Sequence, residues 1–139
     1  MNVSELPFNQ LIGLELAAND SGFETSLPEN LQYANHLGTV HASAMLALAE
    51  AGSGAFLAKH FAEYTSFVPV VRRLEAKFHK PAVGQISARC PVSSEVVETW
   101  GQELVSRGRL SVAIPVEVVD AAGVMVMSAI VEWFITSAN

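Results

Sequence analysis

A carboxylate and an imidazole stand nine residues apart in the middle of the chain, and both are side-chain types used in general acid–base catalysis. Glu50 is the one charged residue between positions 42 and 58, and His41 lies where that apolar run begins. Glutamate is almost never fully buried without a partner, so its presence in such a segment needs an explanation. A catalytic carboxylate is one explanation. A structural carboxylate, hydrogen-bonded near a subunit contact, is the other.

The segment from 41 to 58 predicts the helix that carries both side chains. Ala, Leu and Met, which are strong helix formers, dominate it, and no proline interrupts it. A surface helix shows a polar face at a 3.6-residue period, whereas this one is apolar or small nearly all round, so we expect a buried central helix. Nine residues of helix span about 13 Å and turn through about 180°. His41 and Glu50 of one chain therefore cannot meet at one reacting atom, and a shared site needs two subunits.

The rest of the chain predicts helices and strands on either side of this helix. An amphipathic helix is expected at 4–12, begun by Ser4 and ended by Gly13, and another at 93–106. Strands are expected at 14–19, 22–27, 68–80, 85–92, 110–118 and 124–136. No linker or repeat divides the sequence. We therefore expect residues 1–139 to form a single α+β domain in which an antiparallel sheet wraps around the long central helix.

Alternation along the strand at 68–80 predicts one apolar and one charged face. Val70 and Leu74 share the apolar parity, and Arg72 interrupts it. In a later strand, Pro115 cannot donate a ladder hydrogen bond, so we expect it to face an edge or a bulge of the sheet.

Composition and charge exclude several classes of protein. The formal net charge of −6 argues against a nucleic-acid-binding protein, because such proteins present a basic surface. Hydrophobic residues make up 50% of the sequence and charged residues 16%, and the mean hydropathy is positive. We therefore expect more apolar surface than one small chain can bury, and hence a homo-oligomer. The single cysteine, Cys90, excludes an internal disulfide and offers no metal-ligand spacing.

The sequence contains no recognisable targeting or membrane signal. Residues 1–7 lack the basic and apolar regions of a signal peptide. The apolar segment at 42–58 contains Glu50 and several glycines and serines, which is typical of a core helix rather than a membrane span. We therefore expect a cytoplasmic protein without a membrane partner.

Three stretches of the sequence form a recognisable pattern. The first is Asn35-His-Leu-Gly38-Thr-Val-His41, followed by a small-residue helix with Glu50 nine positions after the histidine. The others are Phe78-His-Lys-Pro-Ala-Val-Gly-Gln-Ile-Ser-Ala-Arg89 and the closing segment Gly108-Arg-Leu … Val118-Val-Asp-Ala-Ala-Gly123. From about residue 11 to about residue 136, the chain resembles the hotdog-fold acyl-CoA thioesterases, and within them the phenylacetyl-CoA thioesterase type or an uncharacterised branch. The family often has two glycines after the histidine, and its helix acid is frequently aspartate.

The resemblance implies an acyl-CoA thioesterase and suggests roles for residues of this chain. Backbone N–H groups from Gly38 to the start of the helix would stabilise a developing oxyanion. Asn35 and His41 would orient the carbonyl group or the water, and Glu50 would act as general base or nucleophile. Members of the family are generally dimers or tetramers, so the resemblance also implies a homodimer or a homotetramer.

Substrate binding is expected to use the start of the helix and a basic cluster. Coenzyme A carries phosphate groups that Arg or Lys at a pocket rim can bind, although Glu75 within the cluster also suits an ordinary solvated face. Four of the eight Lys and Arg fall within nine residues. The expected substrate-binding residues are Ala42, Ser43, Arg72, Arg73, Lys77 and Lys80. Apart from coenzyme A as part of the substrate, no cofactor and no metal are expected.

Two other functions fit the same residues. A hotdog 3-hydroxyacyl thioester dehydratase also pairs a histidine with an acid, but it needs both beside the C2–C3 bond of its substrate. A non-catalytic protein that binds an acyl or aromatic ligand is the other, and Ala42 and Ser43 in place of the family's glycines favour it.

Overall fold

The computed structural model describes residues 1–138. The helices in this part of the chain are α1 (Pro7–Leu11), α2 (Ala42–Phe61) and α3 (Ser94–Arg107), with 3-10 turns at Val3–Glu5 and Leu31–Tyr33. The strands are β1 (Glu15–Leu16), β2 (Thr25–Leu27), β3 (Phe67–Phe78), β4 (Ile86–Arg89), β5 (Arg109–Val119) and β6 (Met125–Ser137).

The strands form one antiparallel sheet in the order β1-β2-β4-β5-β6-β3. β5 and β6 pair from Arg109 opposite Thr136 to Val119 opposite Met125. Within residues 1–138, β3 pairs with β6 alone, so it is a long edge strand. α2 packs on one face of the sheet and contacts β2 to β6. The predicted antiparallel sheet around one long helix is therefore confirmed.

The sheet approaches α2 closely because the helix is rich in small residues. Leu48, Leu57 and Phe61 are completely buried. A Cβ atom at Gly52 would lie 2.9 Å from the Ala88 Cβ of β4, so helix and strand are nearly in backbone contact at that point. This packing uses most sides of the helix, which explains why its sequence has no polar face.

The edge strand β3 departs from simple alternation at Arg72. The pairing with β6 shifts there, because Val71 pairs with Trp133 whereas Arg73 pairs with Glu132. Such a bulge inserts one residue and reverses the parity beyond it. Val70 therefore lies on the outer face of the sheet, opposite to Leu74, and the prediction that both share one face is wrong. Local alternation does not reveal which residue a strand will leave unpaired.

The N-terminal third differs from its predicted boundaries. The helix expected at 4–12 is split, because Pro7 fixes the first turn of α1 and leaves the preceding residue extended. Ser4 is therefore not its N-cap, whereas Gly13 does end it, with a φ of 76°. The strands expected at 14–19 and 22–27 shorten to β1 and β2, although the turn between them forms as predicted.

The later elements follow the sequence closely. Ser93 caps α3 by accepting a hydrogen bond from the Val96 amide, and Gly108 ends the helix with a φ of 72°. Pairing of β4 with β5 ends at Arg89 and Glu117. Pro115 lies two residues beyond that end, where a missing donor is tolerated, as predicted.

Candidate functional site

Glu50 lies half-buried on α2 and its carboxylate has no hydrogen-bond or ion-pair partner within residues 1–138. Burial raises the pKa of this carboxyl above its ordinary value, because the charged form loses hydration. No other cause contributes to that shift. An unpaired, partly desolvated carboxylate is characteristic of a general base or nucleophile.

A cavity of about 320 Å³ opens beside Glu50. It lies between α2, the N-terminal segment and the edge strand β3. Its wall is mostly apolar, which suits the acyl part of a ligand. The lining residues are Met1, Val3, Leu6, Asn9, Glu50, Ala51, Gly54, Pro69, Val70, Val71 and Trp133.

Two consecutive buried hydrogen bonds hold the Trp133 side of this cavity. The Trp133 indole Nε1 donates to the Ser53 hydroxyl at 2.8 Å. That hydroxyl donates in turn to the backbone carbonyl of Glu50 at 2.7 Å. Ser53 therefore fixes the indole and the turn of helix that carries the carboxylate. Its role in the structure is positioning rather than contact with a ligand.

The N-terminus of α2 presents one free backbone donor. His41 is the N-cap, and its Nδ1 accepts a hydrogen bond from the Ser43 amide at 2.9 Å. The neutral imidazole therefore carries its proton on Nε2. The Ala42 amide is the first of the helix, and it has no acceptor among the described residues. Its N–H points out of the N-terminal end of α2, where the positive end of the helix dipole also lies.

Asn35 and Gly38 shape the loop that leads into α2. The Asn35 side-chain oxygen accepts from the amides of Leu37 and Thr39 at 2.9 and 3.1 Å, and its Nδ2 donates to the Thr39 hydroxyl. The Gly38 amide donates to the Asn35 carbonyl, and its φ of 77° requires glycine. Both residues use their polar groups within the loop. Of the amides between 38 and 42, that of Ala42 remains available as an oxyanion donor.

His41 and Glu50 do not line the same cavity of one protomer. His41 and Ser43 line a separate, strongly apolar cavity of about 280 Å³, together with Tyr33. The Tyr33 backbone carbonyl accepts a hydrogen bond from the His41 amide, and the Tyr33 hydroxyl donates one to the carbonyl of Ile12. The separation agrees with the half-turn that nine helical residues impose.

The basic cluster lies on the outer face of the sheet, away from α2. Arg72 stacks over Phe134, with its guanidinium carbon 5.2 Å from the ring centre. Arg73 pairs with Glu75 and Glu132, the latter at 3.5 Å. Lys77 and Lys80 are exposed. Within one protomer, then, Arg72, Arg73 and Lys77 lie on the opposite side of the sheet from the Glu50 carboxylate, and Lys80 follows the end of β3.

Among the residues outside the predicted set that line these cavities are Asn9, Tyr33 and Trp133. Trp133 could have been suspected from its inward parity on the last strand. Asn9 and Tyr33 carry no comparable signal, because each acts through a contact with a distant segment. Cys90 has a raised pKa caused mainly by burial, so its thiol is a poor nucleophile.

The described residues 1–138 contain no group of three or more His, Cys, Asp or Glu that could hold a metal ion. In the same range, no helix has both the length and the apolarity needed to cross a membrane.

A family model described as a domain of unknown function, DUF4442, matches residues 6–135. No curated protein matches the sequence.

Several solved structures share the fold. A Pseudomonas aeruginosa protein of unknown function, described as a probable thioesterase, superposes with a TM-score of 0.82 at 25% identity, over 97% of this chain and 91% of that chain. A Chlorobaculum tepidum protein of unknown function gives 0.82 at 19% identity, over 96% and 88%. A thioesterase from Haemophilus influenzae gives 0.70 at 13% identity, over 97% and 86%. The thioesterase-like hotdog fold predicted from the sequence is therefore confirmed.

Proposed function

This chain belongs to the DUF4442 family, and from that membership and the geometry of α2 we propose that it is an acyl-CoA thioesterase. The observation that carries the proposal is the pair of unsatisfied groups on one buried helix. Among residues 1–138, the Glu50 carboxylate has no partner in an apolar cavity, and the Ala42 amide has none at the helix start. The probable thioesterase with the same fold, at 25% identity, supports it.

The two groups suit the two demands of thioester hydrolysis. The Ala42 amide and the helix dipole stabilise the negative charge that develops on the carbonyl oxygen. Glu50 acts as general base toward water, or attacks the carbonyl carbon itself. His41, with its proton on Nε2, orients the carbonyl group or the water from the rim of the helix.

The site is built from two protomers. The half-turn between His41 and Glu50 prevents one chain from bringing both to a substrate. Glu50 of one protomer therefore faces the α2 N-terminus of another, in a dimer or tetramer. The cavity of Glu50 borders the unpaired edge of β3 at Pro69 to Val71, where a second copy has room to approach.

Coenzyme A binds at the rim of this two-chain site. Ala42 and Ser43 contact the thioester end, and Arg72, Arg73, Lys77 and Lys80 supply positive charge for its phosphate groups. Arg72 and Arg73 already contact Phe134, Glu75 and Glu132, whereas Lys77 and Lys80 lie exposed beside them.

The test is thiol release from a panel of short, long, aromatic and hydroxylated acyl-CoAs, with two variants beside the wild type. Glu50→Gln removes the base. Ala42→Pro removes the free amide alone, because proline is favoured at the first helical position and His41 already has the extended conformation that precedes proline. We expect Ala42→Pro to fold normally and to lower kcat by about 10²- to 10³-fold, and Glu50→Gln to abolish turnover.

If the two single variants fold and each still hydrolyses the substrate, these assignments are contradicted. Absence of turnover by the wild type, with retained binding of an acyl-CoA, identifies the non-catalytic ligand-binding function instead. The engagement of Asn35 and Gly38 within their own loop is the observation that favours this second function.

A further inference from the structure

Asn9 brings a second polar group to the cavity of Glu50. It lies on α1 and is 5% exposed, although the rest of that cavity wall is mainly apolar. A buried amide is costly unless its donors and acceptors are satisfied, so each of its atoms can be accounted for.

The donor half of the Asn9 amide is committed to the fold. Its Nδ2 donates to the carbonyl of Val3 at 2.9 Å, which ties the first 3-10 turn to α1. The side-chain oxygen therefore points away from Val3, and none of the described residues donates to it. Every completely enclosed side-chain N or O of those residues has a partner, so this oxygen must border open space. Asn9 lines the cavity of Glu50, which offers such open space.

Among residues 1–138, the Glu50 carboxylate and the Asn9 side-chain oxygen are thus two acceptors without a protein donor, on residues that line one cavity. A water molecule has two protons, and two acceptors of this kind engage both of them. Its two lone pairs are then left free and directed away from both acceptors. Such an arrangement fixes the orientation of a nucleophilic water as well as removing its proton.

We propose that the side-chain carbonyl of Asn9 orients the attacking water at Glu50, a role that rests on the hydrolytic function proposed above. The water oxygen bonds to the thioester carbonyl carbon as its proton passes to the Glu50 carboxylate, and the C=O π electrons move onto the carbonyl oxygen. That oxyanion then re-forms the C=O bond as the carbon–sulfur bond breaks. The C–S electron pair leaves with sulfur, and Glu50 returns the proton to the thiolate. Asn9 holds the second water proton during attack and exchanges no proton itself.

The test compares Asn9→Leu and Asn9→Asp with Asn2→Ala, on a substrate that the wild type hydrolyses. Asn2 is the matched control, because its side chain also holds the first 3-10 turn, through the Ser4 amide at 3.0 Å, but lies outside the Glu50 cavity. We expect Asn9→Leu to lower kcat by about 10²-fold with KM within about threefold, whereas Asn2→Ala stays within about twofold of wild type in both.

Asn9→Asp is nearly isosteric and keeps an acceptor oxygen, and like Asn9→Leu it loses the Nδ2 donor to the Val3 carbonyl. It should retain more activity than Asn9→Leu, and it adds a like charge beside Glu50. Apart from the α-amino group of Met1, Glu50 is the ionisable group that the described cavity wall contains. A like charge raises the pKa of a carboxyl, so the acid limb of the kcat/KM profile should move to higher pH.

The outcomes separate this role from the function on which it rests. Turnover by the wild type that is lost in Glu50→Gln but persists in folded Asn9→Leu overturns the role of Asn9 alone. Activity in folded Asn9→Asp that is no higher than in Asn9→Leu overturns it as well. If the wild type releases no thiol from any acyl-CoA, the hydrolytic function fails and the role of Asn9 fails with it.

Discussion

At the scale of the residue, Glu50 is held where its charge is disfavoured. Burial raises the pKa of its carboxyl, and within residues 1–138 no cation offsets that effect. An enzyme benefits from this, because a base with a raised pKa accepts a proton from water more readily. The same burial opposes folding at neutral pH.

We expect Glu50→Gln to be more thermally stable than the wild type near neutral pH. A carboxyl whose pKa is raised in the folded state contributes full stability below its unfolded pKa of about 4.3. It loses that contribution as the pH rises through the folded value. The difference in Tm should therefore be largest near pH 7 and should shrink toward zero below about pH 4. Thermal unfolding followed across this range by circular dichroism measures it.

Glu98→Gln serves as the control, because Glu98 is exposed on α3. Its Tm should follow that of the wild type at each pH. A Glu50→Gln variant that is less stable than the wild type at pH 7 would falsify the view that this carboxylate is unpaired.

At the scale of the element, two glycines of α2 lie in different packing environments. Gly52 faces the sheet, where a Cβ would lie 2.9 Å from the Ala88 Cβ and 3.1 Å from the Thr25 hydroxyl. Gly54 faces the Glu50 cavity, where a Cβ would lie 3.4 Å from Val3 Cγ1 and 3.6 Å from the Trp133 ring. The first glycine permits close packing, and the second leaves volume for a ligand.

Alanine at these two positions should have opposite effects. Both substitutions raise helix propensity by about 1 kcal/mol. Gly54→Ala makes ordinary contacts, so it should stabilise the protein while narrowing the cavity and raising KM for the bulkier acyl groups. Gly52→Ala must displace α2 from the sheet, and we expect a net loss of about 1–3 kcal/mol in the free energy of unfolding. Urea unfolding and the thiol-release panel test the pair, and equal shifts in stability would contradict the two packing environments.

At the scale of the whole molecule, the proposed site depends on association. The two cavities that hold His41 and Glu50 are separate in one protomer, and β3 has an unpaired edge beside the second. Nine helical residues place His41 and Glu50 on opposite sides of α2, about 13 Å apart along its axis, so one site can use both only with a second copy.

Mixing two inactive variants should restore activity. In a hybrid dimer of Glu50→Gln with Ala42→Pro, one of the two sites receives Glu50 and the Ala42 amide intact. Random exchange makes half of the dimers hybrid, so the mixture should recover about a quarter of wild-type activity. Differently tagged chains allow the hybrid to be isolated, and its mass is measured by sedimentation. An inactive hybrid of confirmed composition would place both groups in one chain's site.

The local sequence predicts the elements with long, consistent signals. α2 begins where the apolar run after His41 predicts it, α3 lies between Ser93 and Gly108, and the last two strands form near their predicted bounds. These features depend on neighbours within a few residues, namely caps, turns and periodicity, so they can be read without knowing the rest of the fold. The resemblance added the hotdog arrangement of these elements, which the comparisons confirm.

Contacts between distant segments decide the remainder. The bulge at Arg72 moves Val70 to the outer face, and Asn9 reaches the cavity of Glu50 from α1. The face that a side chain takes, the donors that stay free and the place where a cavity forms all depend on the long-range pairings of the fold. The sequence therefore identifies the acid on the central helix, whereas the groups that surround it follow from tertiary packing, because burial and hydrogen bonding are properties of neighbours in space.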